Sequence, residues 1–252
     1  MSEGWFEDEW ERVHAGLALI GWSYDSRITN EDSLIVLEIA DRANAVDGSN
    51  PQADEQWERL AEEAFDYIGF YVSEPSERAA TVTGPYLESQ YVRPLIPLIN
   101  EATLTYYRGY FASSFALLLI GLESYLRDLL SLPTGGGDPT FRQLRTAILR
   151  FPQSRSRDAV GRLLSGLYSR YESHSPTRFY FNRHGLLHGL RDPMTIDRLN
   201  SCRMIQLFDL LCGMETGRSG RFMNNHAKFD TTFNAYSQCV RYGRERPLLA
   251  YE

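Results

Sequence analysis

A short segment of this 252-residue chain concentrates side chains that are suited to breaking a phosphodiester bond. Residues 178–189 read Arg-Phe-Tyr-Phe-Asn-Arg-His-Gly-Leu-Leu-His-Gly, so that Arg183, His184 and His188 fall within six residues. Arginine is always charged and binds phosphate through paired hydrogen bonds, whereas histidine gives or takes a proton near neutral pH. The segment therefore indicates phosphate binding combined with proton transfer.

The same segment has the features of a helix that begins at Pro176 and ends near Leu190. Proline is favoured at the first helical position, where its missing N–H is not needed. At about 100° per residue, His184 and His188 project from one side of this helix, whereas Arg183 falls toward its leucine-rich side. An arginine on an apolar face needs a carboxylate, a phosphate or a subunit boundary. The alternative is an arginine whose head reaches solvent and two histidines satisfied within the core.

A pair of histidines four residues apart is also compatible with a metal ion. Such a site needs further ligands, for which His174, His226 or a carboxylate are the candidates. There is no HExxH motif, no CxxC pair and no Asp-rich loop. Metal binding is therefore disfavoured, and we expect neither a metal nor another cofactor.

Composition predicts a folded, soluble protein of the cytoplasm. The hydrophobic content of 43% is enough for a core, and the three cysteines include no CxxC pair, which argues against a disulfide framework. The longest charge-free apolar run, Gly109 to Leu122, is too short to span a bilayer. The first residues, Met-Ser-Glu-Gly-Trp-Phe-Glu-Asp, lack the basic start and apolar core of a signal peptide.

The net charge of −7 is the sum of two opposite parts. Residues 1–76 contain 18 acidic residues and 4 arginines, whereas the remaining 176 residues contain 15 acidic and 22 basic residues. The balances are therefore −14 and +7. A basic part suits a polyanionic ligand, because phosphate contacts dominate nucleic-acid affinity. The alternative is that each part merely keeps itself soluble.

Helical periodicity predicts an all-α protein, and no segment alternates in the manner of a strand. We divide the chain into an acidic helical N-terminal region (1–76), a helical domain (77–217) and a basic C-terminal tail with a possible short helix (218–252). The first boundary is placed where Ser73 to Ser76 interrupts the helical pattern. The predicted helices cover about 5–22, 30–47, 51–72, 93–130 with a bend near Pro94 and Pro97, 141–151, 158–171, 176–190, 195–212 and 233–242.

Phe181-Asn-Arg-His-Gly-Leu-Leu-His-Gly189 resembles the Rx4-6H motif of the HEPN superfamily, with Arg183-x4-His188 as its two fixed positions. The motif lies late in a helical region and precedes one further amphipathic helix, as in HEPN domains. Upstream, the stretch from Tyr107 to Arg127 is similar to the long first helix of the family, where an acidic residue, here Glu123, often lies near the site. The resemblance covers about residues 90–215 and predicts a HEPN-like helical bundle.

The resemblance implies a metal-independent endoribonuclease of the toxin or phage-defence type. His188 would act as general base or acid, Arg183 would hold the phosphate, and His184 would transfer a second proton or orient the phosphate. Asn182, Tyr180 and Glu123 are the candidate substrate-binding residues, although core packing is an alternative for Tyr180 and helix pairing for Glu123.

HEPN nucleases typically form homodimers in which two motif helices face each other, and such a seam would explain an arginine on an apolar face. We expect RNA as substrate and an antitoxin or regulatory protein as a further partner, with no membrane association. Some toxins of the family carry a modifiable tyrosine two residues after the motif histidine. This chain has Leu190 there, which puts that mode of control in doubt.

Two alternatives remain open. The chain could be a non-catalytic HEPN scaffold that binds nucleic acid or a partner protein without turnover. In a further interpretation, the acidic N-terminal region is an inhibitory or recognition module that covers the basic part of the chain. The basic tail is an additional candidate for contacts with RNA.

Overall fold

The computed structural model describes residues 3–24, 28–132, 140–151, 155–168, 197–217 and 226–245. Within these ranges every regular element is helical and no strand is present, which confirms the all-α class. The helices are α1 Glu3–Leu19, α2 Asn30–Ala45, α3 Ala53–Ala64, α4 Phe70–Ser73, α5 Pro75–Thr83, α6 Pro85–Glu88, α7 Ile96–Tyr107, α8 Phe111–Leu130, α9 Phe141–Ile148, α10 Arg155–Leu167, α11 Arg198–Thr216 and α12 His226–Glu245. A π-helical turn, Phe65–Gly69, joins α3 to α4, and a 3-10 turn, Arg93–Leu95, precedes α7.

The interruption of the helical pattern that the sequence predicts near Glu74 is present and very short. The predicted break at residues 73–76 is a junction of one residue, because α4 ends at Ser73 and α5 begins at Pro75. The Glu74 carboxylate accepts hydrogen bonds from the backbone N–H groups of Ser76 and Glu77, at 2.7 and 3.0 Å. Proline suits the first position of α5 because no partner is required for its nitrogen. The break is therefore a capped junction between two helices.

The predicted long helix over 93–130 is two helices, α7 and α8. Pro94 lies in the 3-10 turn and Pro97 in the first turn of α7, where proline is tolerated and bends nothing. The interruption comes at Gly109, whose φ of 83° places it in the left-handed region that glycine adopts without strain. The chain reverses there, and α7 and α8 pack against each other.

Helix α11 is the centre of the bundle. The helices α4, α6, α7, α8 and α10 pack against it, so that most of its residues are buried on all sides. Met204, Ile205, Leu207, Phe208 and Leu211 have no accessible surface. Sequence periodicity predicted an amphipathic helix over 195–212, whereas the structure shows a helix that is enclosed by its neighbours.

Because α11 is surrounded by other helices, some of its polar side chains are also buried. These side chains form hydrogen bonds to the backbone of the N-terminal part of the chain. The Gln206 amide donates to the carbonyl oxygen of Ser23 at 2.7 Å and accepts from its N–H at 3.2 Å. The Arg203 guanidinium donates to the carbonyl oxygen of Ile20 at 2.7 Å. Burial lowers the pKa of Arg203 to about 10, which still leaves this side chain charged at neutral pH.

The third polar residue in this series, Asp209, forms an ion pair with Arg78 of α5. The two guanidinium Nη atoms donate to the two carboxylate oxygens at 2.7 and 2.8 Å, and the Tyr86 hydroxyl donates to Oδ1 at 2.7 Å. Arg78 is completely buried. Burial is the largest single influence and lowers the pKa of this guanidinium. The charge of Asp209, its hydrogen bonds to the guanidinium and the nearby Tyr86 together outweigh burial, so that the pKa lies well above its ordinary value.

Both sides of the predicted boundary at residue 76 contribute to one apolar core. Helix α5 runs through the boundary, and Leu17 and Ile39 belong to the same buried cluster as Phe115 and Leu164. The division into separate regions stays a prediction.

The tail holds a longer helix than the one predicted at 233–242, because α12 spans His226–Glu245 and packs against α5 and α7. Its buried Tyr236 lies 5.4 Å, between ring centroids, from Tyr107. In the part of the chain that the structure describes, no helix has the length and apolar character needed to cross a membrane.

We predict that Asp209→Asn lowers the free energy of unfolding by about 3–5 kcal/mol, because it leaves the buried Arg78 charge without its counter-ion. Urea denaturation measures this change. The matched control is Glu55→Gln, which removes the exposed ion pair between Glu55 and Arg59. The two side chains are 69% and 74% accessible, respectively. That substitution should cost at most about 0.5 kcal/mol. Equal effects of the two substitutions would contradict the assignment of Arg78–Asp209 as a buried structural pair.

A second prediction concerns the three thiols. Cys202 and Cys212 are buried on α11, and burial raises the pKa of Cys202 to about 12 and also raises that of Cys212. The thiolate is the reactive form of cysteine. In the native protein at pH 8, a chromogenic disulfide reagent should therefore react with one thiol, that of the half-buried Cys239. Cys239→Ser should abolish this reaction until denaturant is added, and rapid reaction of all three thiols would contradict the enclosure of α11.

Candidate functional site

The residues of the Rx4-6H motif lie in the segment 169–196, which is outside the described part of the chain. Their predicted roles, and the predicted helix from Pro176 to Leu190, therefore stay predictions. The site residues concerned are Tyr180, Asn182, Arg183, His184 and His188.

The residues on either side of this segment are described, and each adjoins a helix that packs in the core. Tyr168 follows α10 directly and is buried. Asp197 caps α11, since its Oδ1 accepts a hydrogen bond from the backbone N–H of Asn200 at 2.9 Å. Helices α10 and α11 pack against each other. The motif segment therefore starts and ends on two helices whose relative position is fixed by the core.

Glu123 is the predicted site residue that the structure describes. It lies on α8, is half-buried, and its Oε1 accepts a hydrogen bond from the Tyr168 hydroxyl at 3.1 Å. The contact joins α8 to the end of α10, at the point where the motif segment begins. A carboxylate in this place accepts hydrogen bonds from guanidinium, imidazole or hydroxyl groups. The bond to Tyr168 supports a helix-pairing role, and a role in binding substrate stays a prediction.

Among the described residues, no group of three or more histidine, cysteine or acidic side chains is placed to hold a metal ion. The histidine pair of the motif lies outside these ranges, so this finding does not test it. The expectation of a metal-free site therefore rests on the sequence.

The three arginines of the acidic region that the structure describes form ion pairs. Arg12 lies 3.1 Å from Asp41 of α2, between Nε and Oδ1, and the pairs Arg42–Glu63 and Arg59–Glu55 have N–O distances of 2.7 and 3.3 Å. Arg78 is used in the core. These four positive charges are thus compensated by carboxylates of the protein itself.

The arginines of α9, of α10 and of the turn after α9 are not paired in this way, and the sequence analysis did not single them out. Four of them are exposed and form no ion pair within the described ranges: Arg142, Arg145, Arg150 and Arg162. The high proportion of arginine between residues 142 and 162 was the available signal, but it was counted only within the overall charge of +7. In the basic tail, Lys228 and Arg241 are exposed on α12, and a contact of the tail with RNA stays a prediction.

We predict that Tyr168→Phe lowers the free energy of unfolding by about 1 kcal/mol, because it deletes the hydroxyl that donates to Glu123 and keeps the ring. Urea denaturation again provides the measurement. Tyr110→Phe is the matched control, since this tyrosine is 57% exposed. It should change stability by no more than a few tenths of a kcal/mol. Equal stability of the two variants would mean that the Tyr168–Glu123 bond does not hold α8 and α10 together.

Comparison of the chain with protein-family models, with curated proteins and with solved structures gives no match. The resemblance to HEPN proteins therefore stays a prediction that rests on the residues of the motif and on the helical character of the chain.

Proposed function

We propose that this protein is a metal-independent endoribonuclease of the HEPN type. The observation that carries the proposal is the spacing Arg183-x4-His188, with His184 between the two positions. The all-α fold supports it, because it supplies the class of structure in which this motif occurs. A basic balance of +7 over residues 77–252 further favours a polyanionic substrate.

The proposed reaction uses the ribose of the RNA as its own nucleophile. His188 takes the proton of the 2′-hydroxyl, whose oxygen attacks the adjacent phosphorus while the bond from phosphorus to the 5′-oxygen breaks. The leaving oxygen receives a proton from the second acid, for which His184 is the candidate. Arg183 binds the non-bridging phosphate oxygens and stabilises the charge that develops on them. The products are a 2′,3′-cyclic phosphate and a 5′-hydroxyl end.

The surroundings of the motif segment are suited to holding such a site. Catalytic side chains have to be kept close to their productive geometry by rigid supports. The segment connects α10 with α11, and α11 is held by the core and by its hydrogen bonds to Ile20, Ser23 and Arg78. Glu123 of α8 forms a hydrogen bond with Tyr168, the last described residue before the segment. The segment is therefore connected at both ends to helices that the core holds in place.

The proposal includes a homodimer and external control. Arg183 lies on the leucine-rich side of its predicted helix, and a seam with a second copy would bury the leucines while the arginine faces the substrate. An endoribonuclease that acts on cellular RNA has to be restrained, so we propose an antitoxin or a phage-dependent trigger as partner. Leu190 replaces the tyrosine that is modified in some HEPN toxins, and control by modification at that position is not part of the proposal.

We predict that the purified protein cleaves single-stranded RNA in the presence of EDTA, and that Arg183→Ala and His188→Ala each lower the rate about 100-fold or more. The estimate follows from the usual contributions of a general acid–base group and of a charge-stabilising donor. The rate is measured on a labelled oligonucleotide, and mass spectrometry identifies the cyclic phosphate end. Substitution of the 2′-hydroxyl by hydrogen at the cleaved nucleotide should block the reaction.

Matched controls are Arg59→Ala, in an exposed ion pair, and His226→Ala, at the start of α12, both of which should retain the activity. Light scattering should give about twice 28.9 kDa for all variants, which excludes loss of assembly as the cause. Equal cleavage by the wild type and both motif variants would overturn the proposal. Binding of RNA without turnover by the wild type would favour the non-catalytic scaffold.

A further inference from the structure

Helices α9 and α10 carry an unusual excess of arginine. Residues 141–168 contain six arginines and one acidic residue, Asp158. Arg157 is used locally, since its Nε lies 3.6 Å from Asp158 and its Nη1 donates to the carbonyl oxygen of Phe151. We call Arg142, Arg145, Arg150 and Arg162 the α9–α10 arginines; all four are exposed and without an ion pair in the described part of the chain.

The packing of the two helices explains why these side chains face outward. On α9, the inward side is formed by Leu144, Ala147 and Ile148, and residues 142 and 145 lie on the opposite side. On α10, the buried residues include Val160, Leu163 and Leu164, and Arg162 projects away from them. The core therefore fixes the direction of the helices, and their arginines are left to solvent.

These arginines differ from the described arginines of the N-terminal region in their lack of a carboxylate partner within the described residues. Arg12, Arg42 and Arg59 each have a carboxylate within 3.3 Å, so their charge is largely cancelled for a distant anion. The α9–α10 arginines have no such neighbour among the described residues, and their like charges add up over a short stretch of the chain. Concentrated positive charge without internal compensation is the electrostatic footprint of a surface that binds a polyanion.

An exposed apolar side chain, Leu149, lies next to Arg150 in the chain and indicates which class of polyanion binds here. Leu149 is 59% exposed and lies in the chain between Arg145 and Arg150. Single-stranded nucleic acid combines a charged backbone with the flat apolar faces of its bases, and proteins bind it with both kinds of contact. A purely charged polymer would leave Leu149 unused.

The position of the surface connects it with the proposed active site. Helix α10 leads into the motif segment, and Arg162 precedes Tyr168 by six residues, which corresponds to about 9 Å along a helix. Tyr168 in turn contacts Glu123 of α8. We propose that the α9–α10 arginines bind the backbone of single-stranded RNA. This inference rests on the proposed function for its choice of RNA as ligand.

The experiment measures binding separately from cleavage. The probe is a fluorescent single-stranded RNA of about 20 nucleotides with 2′-O-methyl groups, in which the nucleophile is blocked. The full-length wild type is compared by fluorescence anisotropy with Arg142→Gln/Arg145→Gln/Arg162→Gln over a series of KCl concentrations. We expect the variant to bind about tenfold more weakly near 0.1 M salt, and its slope of log K against log salt to be smaller by about 2.

The matched control is Arg12→Gln/Arg42→Gln/Arg59→Gln, which removes the same number of charges from the ion-paired surface and should bind as the wild type does. Circular dichroism verifies that both triple variants are folded. The inference is overturned if the wild type does not bind the probe, if the two triple variants bind equally well, or if polyglutamate displaces the probe as well as unlabelled RNA does.

These outcomes separate the two proposals. If binding depends on the α9–α10 arginines but ordinary RNA stays intact, the surface is confirmed and the ribonuclease proposal fails. If ordinary RNA is cleaved in a manner that depends on His188 while the α9–α10 variant binds the probe normally, the ribonuclease proposal is supported and the surface proposal fails.

Discussion

The fold depends on the burial of α11 together with the polar side chains that it carries. Arg203, Gln206 and Asp209 recur at every third position and would each cost several kcal/mol if they were enclosed without partners. Their partners come from the N-terminal part of the chain: the backbone at Ile20 and Ser23, and the Arg78 guanidinium. Because apolar contacts alone tolerate small shifts and hydrogen bonds do not, these three residues set the position of the N-terminal helices on the bundle.

This dependence changes the meaning of the acidic N-terminal region. Removal of residues 1–76 would take away the partners of Arg203 and Gln206 and open one side of the core. A regulatory role of the region can therefore not be separated from stability by deletion, and it has to be examined through its surface carboxylates. Among the described contacts, Asp41, Glu55 and Glu63 neutralise arginines of the same region, whereas the α9–α10 arginines remain exposed.

Local features of the sequence were sufficient to predict most helices, but not which helices pack against each other. The start of α2 at Asn30 and the buried character of much of α8 follow from periodicity and composition. The predicted break near Glu74 is present, although one side chain caps α5 without a loop. The predicted continuous helical region over 93–130 was wrong, because the chain is interrupted at Gly109. The enclosure of α11 was not predictable, since its partners lie more than 100 residues away in sequence. For the candidate site, the sequence supplied the motif and Glu123, whereas the contact with Tyr168 required the packing of α8 and α10.

Arginine shows most clearly why net charge is a poor guide to a binding surface. Arg12, Arg42 and Arg59 are compensated by neighbouring carboxylates, and Arg78 and Arg203 are enclosed in the core, where their charge holds helices together. None of these five is available to a phosphate outside the protein. Each α9–α10 arginine contributes the same charge of +1 to the net charge. In the described part of the chain, however, these arginines are exposed and have no carboxylate partner. Attraction of a polyanion is therefore concentrated on α9, α10 and the turn after α9, because a charge that is already paired or buried contributes little to the field at the surface.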